Sequence, residues 1–144
     1  MLTQPSETVF YLIEKAIKNY RKLSQQKISE RVGNLTLDQA LLLQFLVKNP
    51  GLTQSEIAEL IFKDNASVTR MIELMVKNKF LSRTMNSDDR RRFNIELTKK
   101  TKDLLPELNM IITENRTKAL QNIPQTEIDQ VASTLKKLIK NCNP

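Results

Sequence analysis

Apolar residues recur along most of the chain at the spacing of amphipathic helices. Near the N-terminus an apolar side chain occupies every third or fourth position: Val9, Ile13, Ala16, Tyr20 and Leu23. This spacing predicts a long helix over 6–29 with one apolar face, which Gly33 and Asn34 are expected to end.

Two later segments begin with the capping-box pattern, in which a threonine precedes Gln or Glu by three positions. Thr36 with Gln39 predicts a helix that is apolar on much of its surface, and Asn49-Pro50-Gly51 should stop it. Thr53 with Glu56 predicts a short helix. A further helix follows closely, ends near residue 78 and turns three apolar residues towards the core: Val68, Ile72 and Met75. Two short amphipathic helices joined by a tight turn indicate a helix-turn-helix unit.

The pattern then changes from helical spacing to alternation. The extended segments 81–85 and 92–98 flank a polar bend and predict a hairpin, with Phe93, Ile95 and Leu97 on one face. Thr98 can cap another helix, which should run to about residue 122. Pro124 separates a last helix with an apolar stripe formed by Ile128, Val131, Leu135 and Leu138. A hairpin beside a helix-turn-helix unit is a winged helix, so the predicted fold is mainly α with a small two-stranded β-wing.

Composition narrows the chemistry. The 144 residues carry 23 basic and 16 acidic side chains, no histidine, one cysteine and two glycines. These counts exclude Ser-His and Cys-His nucleophile pairs, an imidazole or thiolate zinc site and a glycine-rich phosphate loop. We therefore expect no catalytic residue, no cofactor and no metal. No apolar run is long enough to span a membrane and no secretory signal is evident, so a cytoplasmic location is the expectation.

The net charge of +7 is concentrated around the hairpin. Residues 77–92 hold six basic residues and two acids, which is four of the seven net positive charges. Arginine is the side chain best suited to the negative potential of a narrow minor groove, and Asp89 can hold Arg91 in one rotamer. The candidate DNA contacts of the wing are Arg83, Asp89, Arg90, Arg91 and Arg92. The alternative is a solvated turn whose charges pair with each other.

The second helix of the helix-turn-helix unit supplies the other candidates. Small polar residues at its start would let its free amides approach a phosphate, and Arg70 could contact guanine in the major groove. The groove-facing candidates are Asn65, Ala66, Ser67, Thr69 and Arg70. The alternative is that Ser67 only caps the helix while Arg70 is a solvated surface residue.

Three stretches in this order resemble the MarR family of bacterial transcriptional regulators. They are LTLDQALLLQFLVKNPGLTQSEIAELIF, NASVTRMIELMVKNKFLSR and DDRRRFNIELT, all between residues 35 and 105. Asp89-Arg90-Arg91 match the family's wing motif, and Leu97-Thr98 match the start of its next helix. Two positions depart from the family pattern, because Phe62 and Lys79 stand where glycine is usual. Asn78 is the expected left-handed residue in place of Lys79.

The resemblance implies a homodimer that binds double-stranded DNA, in which the first and the last two helices intertwine. The expected division is a dimerisation helix over 1–34, a winged helix-turn-helix DNA-binding region over 35–98 and dimerisation helices over 99–144, without an independent linker. It further implies a sequence-specific regulator that acts as a repressor. Many relatives release DNA when a small molecule binds, and whether this chain has such an effector is open. Phe10, Tyr11, Tyr20 and Met110 are the inward-facing candidates to line its cavity, and the alternative is that they are core residues.

Two other functions compete with this one. A winged helix can serve as a protein-interaction and dimerisation module whose basic face meets an acidic partner. An enzyme would need carboxylates or lysines at catalytic spacing, and the sequence shows none. The single cysteine, Cys142, lies in the C-terminal tail rather than in the first helix, where the family's peroxide sensors carry theirs.

Overall fold

A computed structural model describes residues 3–89 and 93–143, and within them the chain forms six helices and one antiparallel hairpin. A short 3-10 turn, Pro5–Glu7, precedes the first helix. The elements are α1 Val9–Val32, α2 Leu37–Lys48, α3 Gln54–Leu60, α4 Asn65–Lys77, β1 Leu81–Met85, β2 Phe93–Leu97, α5 Lys99–Ala119 and α6 Gln125–Cys142. The predicted class, mainly α with a two-stranded wing, is confirmed.

Both predicted capping boxes form. The Thr36 hydroxyl accepts from the Gln39 amide at 3.1 Å, and Gln39 Oε1 accepts from the Thr36 amide at 3.0 Å. At α3 the Thr53 hydroxyl and the Glu56 carboxylate make the same exchange at 3.2 and 3.1 Å. Each box gives partners to two amides that a helix start would otherwise leave unpaired.

The limits of α1 and α5 differ from the predicted ones by about three residues. Helix α1 begins after Thr8, whose hydroxyl accepts from the Tyr11 amide at 3.3 Å, because Pro5–Glu7 is occupied by the 3-10 turn. It continues to Val32 and ends at Gly33, which takes a φ of 83°. Helix α5 ends at Ala119, before a turn in which Asn122 takes a positive φ.

The expectation that Asn78 replaces a glycine as the left-handed residue is wrong. Asn78 has a φ of −84°, whereas Lys79 itself has a φ of 64°. The reason is the Schellman motif that ends α4: the amides of Phe80 and Lys79 donate to the carbonyls of Met75 and Val76. This motif needs the residue after the C-cap in the left-handed region, whichever side chain it carries.

The same motif ends α3. The amide of Lys63 donates to the Ala58 carbonyl at 2.9 Å, and the amide of Phe62 donates to the Glu59 carbonyl at 3.3 Å. Phe62 therefore takes a φ of 60°, and its side chain is 93% exposed. The departures from the family glycines are thus accommodated by strained backbone at both positions, not by a different turn.

One core joins the helix-turn-helix unit to α2, α5 and the base of the wing. Helix α2 lies at its centre, because Ala40, Leu42 and Leu43 are fully buried. The predicted core residues of α4 are confirmed. The remaining large, fully buried side chains come from neighbouring segments: Ile28, Leu35, Ile57, Phe80, Leu81, Leu108 and Ile111.

The hairpin pairs residue for residue from Leu81 with Leu97 to Met85 with Phe93. Its predicted apolar face is only partly buried: Ile95 packs into the core, whereas Phe93, nearer the tip, is half exposed. The base of the hairpin is fixed to α5, since the Thr98 hydroxyl donates to the Lys79 carbonyl at 2.6 Å. The wing therefore projects from the core on a fixed base.

The two ends of the chain expose apolar surface. Among the described residues of α6 none is buried, and Val131 and Ile139 are about 60% exposed. At the start of α1 three apolar side chains are more than half exposed: Val9, Phe10 and Leu12. The expectation that Phe10, Tyr11 and Met110 face inward is wrong for the single chain, because all three are exposed.

Candidate nucleic-acid interface

The start of α4 is organised by Asp64. Its carboxylate accepts from the Ser67 amide at 2.7 Å and from the Ser67 hydroxyl at 3.0 Å. Asp64 is therefore the N-cap, and the alternative in which Ser67 caps the helix is wrong. These two hydrogen bonds, with the nearby charge of Arg70, lower the pKa of Asp64 below its usual value.

Arg70 lies one turn further along the same surface. Its Nη2 donates to the Ser67 hydroxyl at 3.3 Å, so Asp64, Ser67 and Arg70 form a chain of polar contacts. Asn65 and Ala66 are exposed beside it. The structure thus brings four of the five predicted residues to one accessible end of α4.

Thr69 differs from the other four candidates. It is half-buried, its hydroxyl donates to the Asn65 carbonyl at 2.8 Å, and it accepts a short hydrogen bond from the Gln54 side chain. The Gln54 amide also reaches the Asn65 carbonyl at 3.5 Å. The hydrogen bonds of Gln54 to Thr69 and Asn65 therefore hold α3 and α4 together. Sequence reasoning missed Gln54, although its place directly after the Thr53 cap puts it in the first turn of α3.

The wing lies across a groove from the start of α3. Thr53, Gln54 and Ser55 line one side of this groove, and Arg83 and Asn94 line the other. Gln54 thus contacts α4 and also faces the groove beside the wing. Gln54 therefore connects the start of α4 to the groove beside the wing.

The described part of the wing is internally ordered. The guanidinium of Arg83 stands 5.1 Å from the centre of the Phe93 ring, a cation–π contact. The side-chain oxygen of Asn86 accepts from the amides of Asp88 and Asp89 at 2.9 and 3.2 Å, which shapes the bend. The predicted contacts of Arg90, Arg91 and Arg92, including the Asp89–Arg91 pair, lie outside the described residues.

A separate cavity of about 480 Å³ lies between α1, α2, α5 and the α3–α4 turn. Tyr20 and Ile17 form part of its apolar wall, so Tyr20 is the one aromatic candidate that lines it among Phe10, Tyr11, Tyr20 and Met110. The Ser24 side chain also lines it, and its buried hydroxyl makes no hydrogen bond within the described residues. The charged groups around the cavity are Arg21, Asp38, Lys63 and Arg116.

Asp38 joins two of those cations. One carboxylate oxygen is 2.7 Å from Arg21 Nη2, and the other is 3.2 Å from Lys63 Nζ. Burial alone would raise the pKa of Asp38, but the hydrogen bonds and charges of Arg21 and Lys63 outweigh it and lower the pKa. Sequence reasoning missed this cluster, because its members are far apart along the chain.

Residues 33–92, which hold the helix-turn-helix unit and most of the wing, match the family model described as MarR family. Within residues 33–92 the chain is therefore similar to the MarR family. Proteins of this family are DNA-binding transcription regulators without enzymatic activity.

Solved structures share the fold of this chain almost end to end. The transcriptional regulator SlyA is 28% identical, with a TM-score of 0.82 over 92% of each chain. MepR from S. aureus, solved as a complex with DNA, is 23% identical with a TM-score of 0.85 over 94% of this chain and 99% of its own. BpsR from Bordetella bronchiseptica, whose DNA binding is regulated by 6-hydroxynicotinic acid, is 22% identical with a TM-score of 0.84 over 96% and 97%.

Within residues 3–89 and 93–143, no three acidic, cysteine or histidine side chains come together as a metal site would need. No helix in the described parts of the chain is long and apolar enough to cross a membrane.

Proposed function

We propose that this chain is a MarR-family regulator, acting as a homodimeric, sequence-specific DNA-binding repressor. One observation supports the proposal: Gln54 hydrogen-bonds Thr69 on α4 and also lines the groove beside the wing, as expected if both candidate DNA-contacting elements share one face. A winged helix places one helix in the major groove and its wing over the adjacent minor groove, so the two elements must lie on the same face of the protein. Arg70 would read base edges, and the wing arginines would contact the backbone.

The dimer is supported by the apolar surface at the chain ends. The exposed side chains of α6 and of the start of α1 have no cover within one chain, and burial of such faces drives association. We assign 1–34 and 99–144 to dimerisation and 35–98 to DNA binding. A dimer would present two copies of α4, and a repressor bound in this way would block access of the polymerase.

A small-molecule effector is supported by the cavity between α1, α2 and α5. It has the volume of a small organic ligand, an apolar wall, a buried hydroxyl at Ser24 and nearby cations. These features suit a compact molecule with an anionic or hydroxyl group. Titration of the protein–DNA complex with a panel of aromatic acids tests this, and no release of DNA by any of them would count against the cavity as such a site.

The DNA-binding proposal is tested by fluorescence anisotropy. A random duplex should bind at low salt and be released steeply as salt rises, because arginine–phosphate contacts displace condensed counterions. Selection from random DNA should then yield one preferred site with two related halves. Weak binding at low salt would instead favour the interaction module whose basic face meets an acidic protein.

The dimer is tested by two matched substitutions on α6. Val131→Glu places a charge in the apolar stripe, whereas Ser133→Glu places the same charge on the opposite face of the helix. We expect Val131→Glu to shift sedimentation towards the monomer and to abolish operator binding, while Ser133→Glu leaves both unchanged. Equal behaviour of the two variants would contradict this interface.

A further inference from the structure

A single carboxylate connects the first helix with the turn that precedes α4. Asp38 stands in the first turn of α2, and its side chain is 18% exposed. One oxygen contacts Arg21 on α1 at 2.7 Å, and the other contacts Lys63 at 3.2 Å. Three elements that are distant in sequence thus meet at one residue, which we call the Asp38 joint.

Lys63 connects Asp38 to the start of α4, the candidate DNA-contacting helix. It directly precedes Asp64, the N-cap of α4. Its own backbone is fixed by the Schellman hydrogen bond to Ala58, next to the strained Phe62. The Lys63 side chain that contacts Asp38 is therefore attached to a fixed backbone position directly before the N-cap of α4.

Other polar links from α1 do not reach this turn. The Gln25 side chain contacts the Leu35 carbonyl at 3.3 Å and the Leu37 amide at 2.8 Å, which fixes only the α1–α2 loop. Arg31 pairs with Glu107 and Glu114 on α5, at 3.4 and 2.9 Å, and so stays within the proposed dimerisation region. Among the described residues, the ion pairs that lead from α1 to the α3–α4 turn pass through Asp38.

We propose that Asp38 is a positioning residue that sets the angle between α1 and the helix-turn-helix unit, and thereby the half-site spacing that the dimer accepts. The inference rests on the proposed homodimeric DNA-binding function. Helix α1 is held by the dimer, so rotation of the unit about the joint changes the separation of the two α4 helices. That separation must match one turn of DNA, roughly 34–36 Å.

The physical expectation follows from bivalent binding. The second half-site is bound at an effective concentration that depends on how narrowly the separation of the two α4 helices is distributed. A loosened joint broadens this distribution. Binding to the best spacing then weakens, binding to wrong spacings improves relative to it, and binding to one half-site stays the same.

The experiment uses the full-length dimer and the preferred site obtained by selection. Duplexes carry the two halves at the selected spacing, the same halves shifted by two base pairs, or one half alone. For Asp38→Asn we expect the ratio of affinities between correct and shifted spacing to fall roughly tenfold from the wild-type ratio. Affinity for one half-site should stay within about twofold.

Two further variants make the result specific. Lys63→Met breaks the same link while it leaves the Arg21–Asp38 pair in place, so it should reproduce the lost spacing preference even if Asp38→Asn folds poorly. Arg31→Met removes two ion pairs from α1 that do not reach the turn, and it should keep the wild-type ratio. Circular dichroism confirms the helix content of each variant.

A distance measurement in the absence of DNA tests the role of Asp38 independently of the proposed DNA binding. Cys142→Ser removes the native thiol, and Lys77→Cys introduces one at the end of α4. A spin label is attached to this new thiol, and the distance between the labels of the two subunits is measured. Asp38→Asn should widen the distribution of this distance. Unchanged distance distributions and spacing ratios in both joint variants would overturn the inference alone. A wild-type protein that binds no duplex, or that remains a monomer, would overturn the proposed function and this inference with it.

Discussion

Arg70 donates a hydrogen bond of 3.3 Å to the Ser67 hydroxyl, one turn earlier in α4. Ser67 in turn donates to Asp64, so the guanidinium is held near the helix start before any DNA arrives. An ordered side chain loses less conformational entropy on binding. The same contacts keep a carboxylate close to the surface that would meet DNA, which offsets part of the positive charge of Arg70.

Arg70→Ala should relax base preference more than it weakens general DNA affinity. A bidentate arginine–guanine contact contributes about 1–3 kcal/mol of discrimination, whereas the backbone contacts remain. Selection from random DNA with the wild type and the variant measures the change. Lys77→Ala, at the far end of α4, removes the same charge and serves as control. Identical preferred sites for wild type and Arg70→Ala would contradict the assignment.

Arg91→Ala should weaken binding to every duplex. This expectation comes from the sequence, since Arg91 lies outside the described residues. Loss of one phosphate contact should reduce the dependence of log K on log salt by roughly one unit. Anisotropy over a salt series measures it, with Lys136→Ala on α6 as the charge-matched control. An Arg91→Ala protein that binds its operator as tightly as wild type would show that the wing has no such role.

Asp64→Asn should strengthen binding to duplexes of any sequence. Asparagine caps a helix about as well as aspartate, so α4 should persist while a negative charge near the phosphates disappears. At low salt we expect a gain of roughly fivefold in affinity for a random duplex. The pKa of Asp64 is lowered, so the charge is present at neutral pH and the gain should be seen there. Asp103→Asn on α5 should leave affinity unchanged.

Phe62→Gly should stabilise the protein. Phe62 holds a φ of 60°, and relief of this backbone strain should exceed the entropy that glycine adds to the unfolded chain, for a net gain of about 0.5–1 kcal/mol. For a chain of this size the melting temperature should rise by roughly 2–4 °C. Phe62→Ala removes the ring but keeps the strain, so it should show no gain. Equal stabilisation by both variants would assign the effect to the exposed ring instead.

Asp38→Asn should lower stability at neutral pH but not in acid. A carboxyl whose folded pKa is depressed stabilises the fold above its unfolded pKa of about 3.9, and this contribution is lost as the pH falls through the folded value. Because the partners are partly exposed, we expect a loss of about 1–2 kcal/mol at pH 7. Urea unfolding at pH 7, 5 and 3 measures it. A loss that persists undiminished at pH 3 would show that the charge of Asp38 is not its cause.

The parts of the fold that could be predicted from sequence are those encoded locally. The capping boxes at Thr36 and Thr53 use residues three positions apart, and the alternation in 93–97 identifies a strand within five residues. The start of α4 was only half predicted. The alternative in which Ser67 caps the helix is wrong, because Asp64 three positions earlier makes the side-chain-to-amide contact that caps many helices.

What could not be predicted depends on distant partners. The Schellman motifs place Phe62 and Lys79 in the left-handed region because the chain must leave each helix towards the shared core, and propensity disfavours this for both residues. The pairing of Asp38 with Arg21 and Lys63 exists only once three elements have packed. The inward direction expected for Phe10, Tyr11 and Met110 failed because helical spacing identifies an apolar face without saying which partner covers it.

In the proposed dimer the exposed apolar face of α6 is covered by a second chain, so the concentration of the chain in the cell determines how much dimer can bind an operator. Assembly of two chains depends on the square of their concentration, so occupancy of an operator would rise more steeply than synthesis does. Dilution would dissociate the dimer, which would release the operator and expose the apolar face of α6 to water. A gene controlled in this way would respond to the abundance of its regulator with a threshold rather than in proportion.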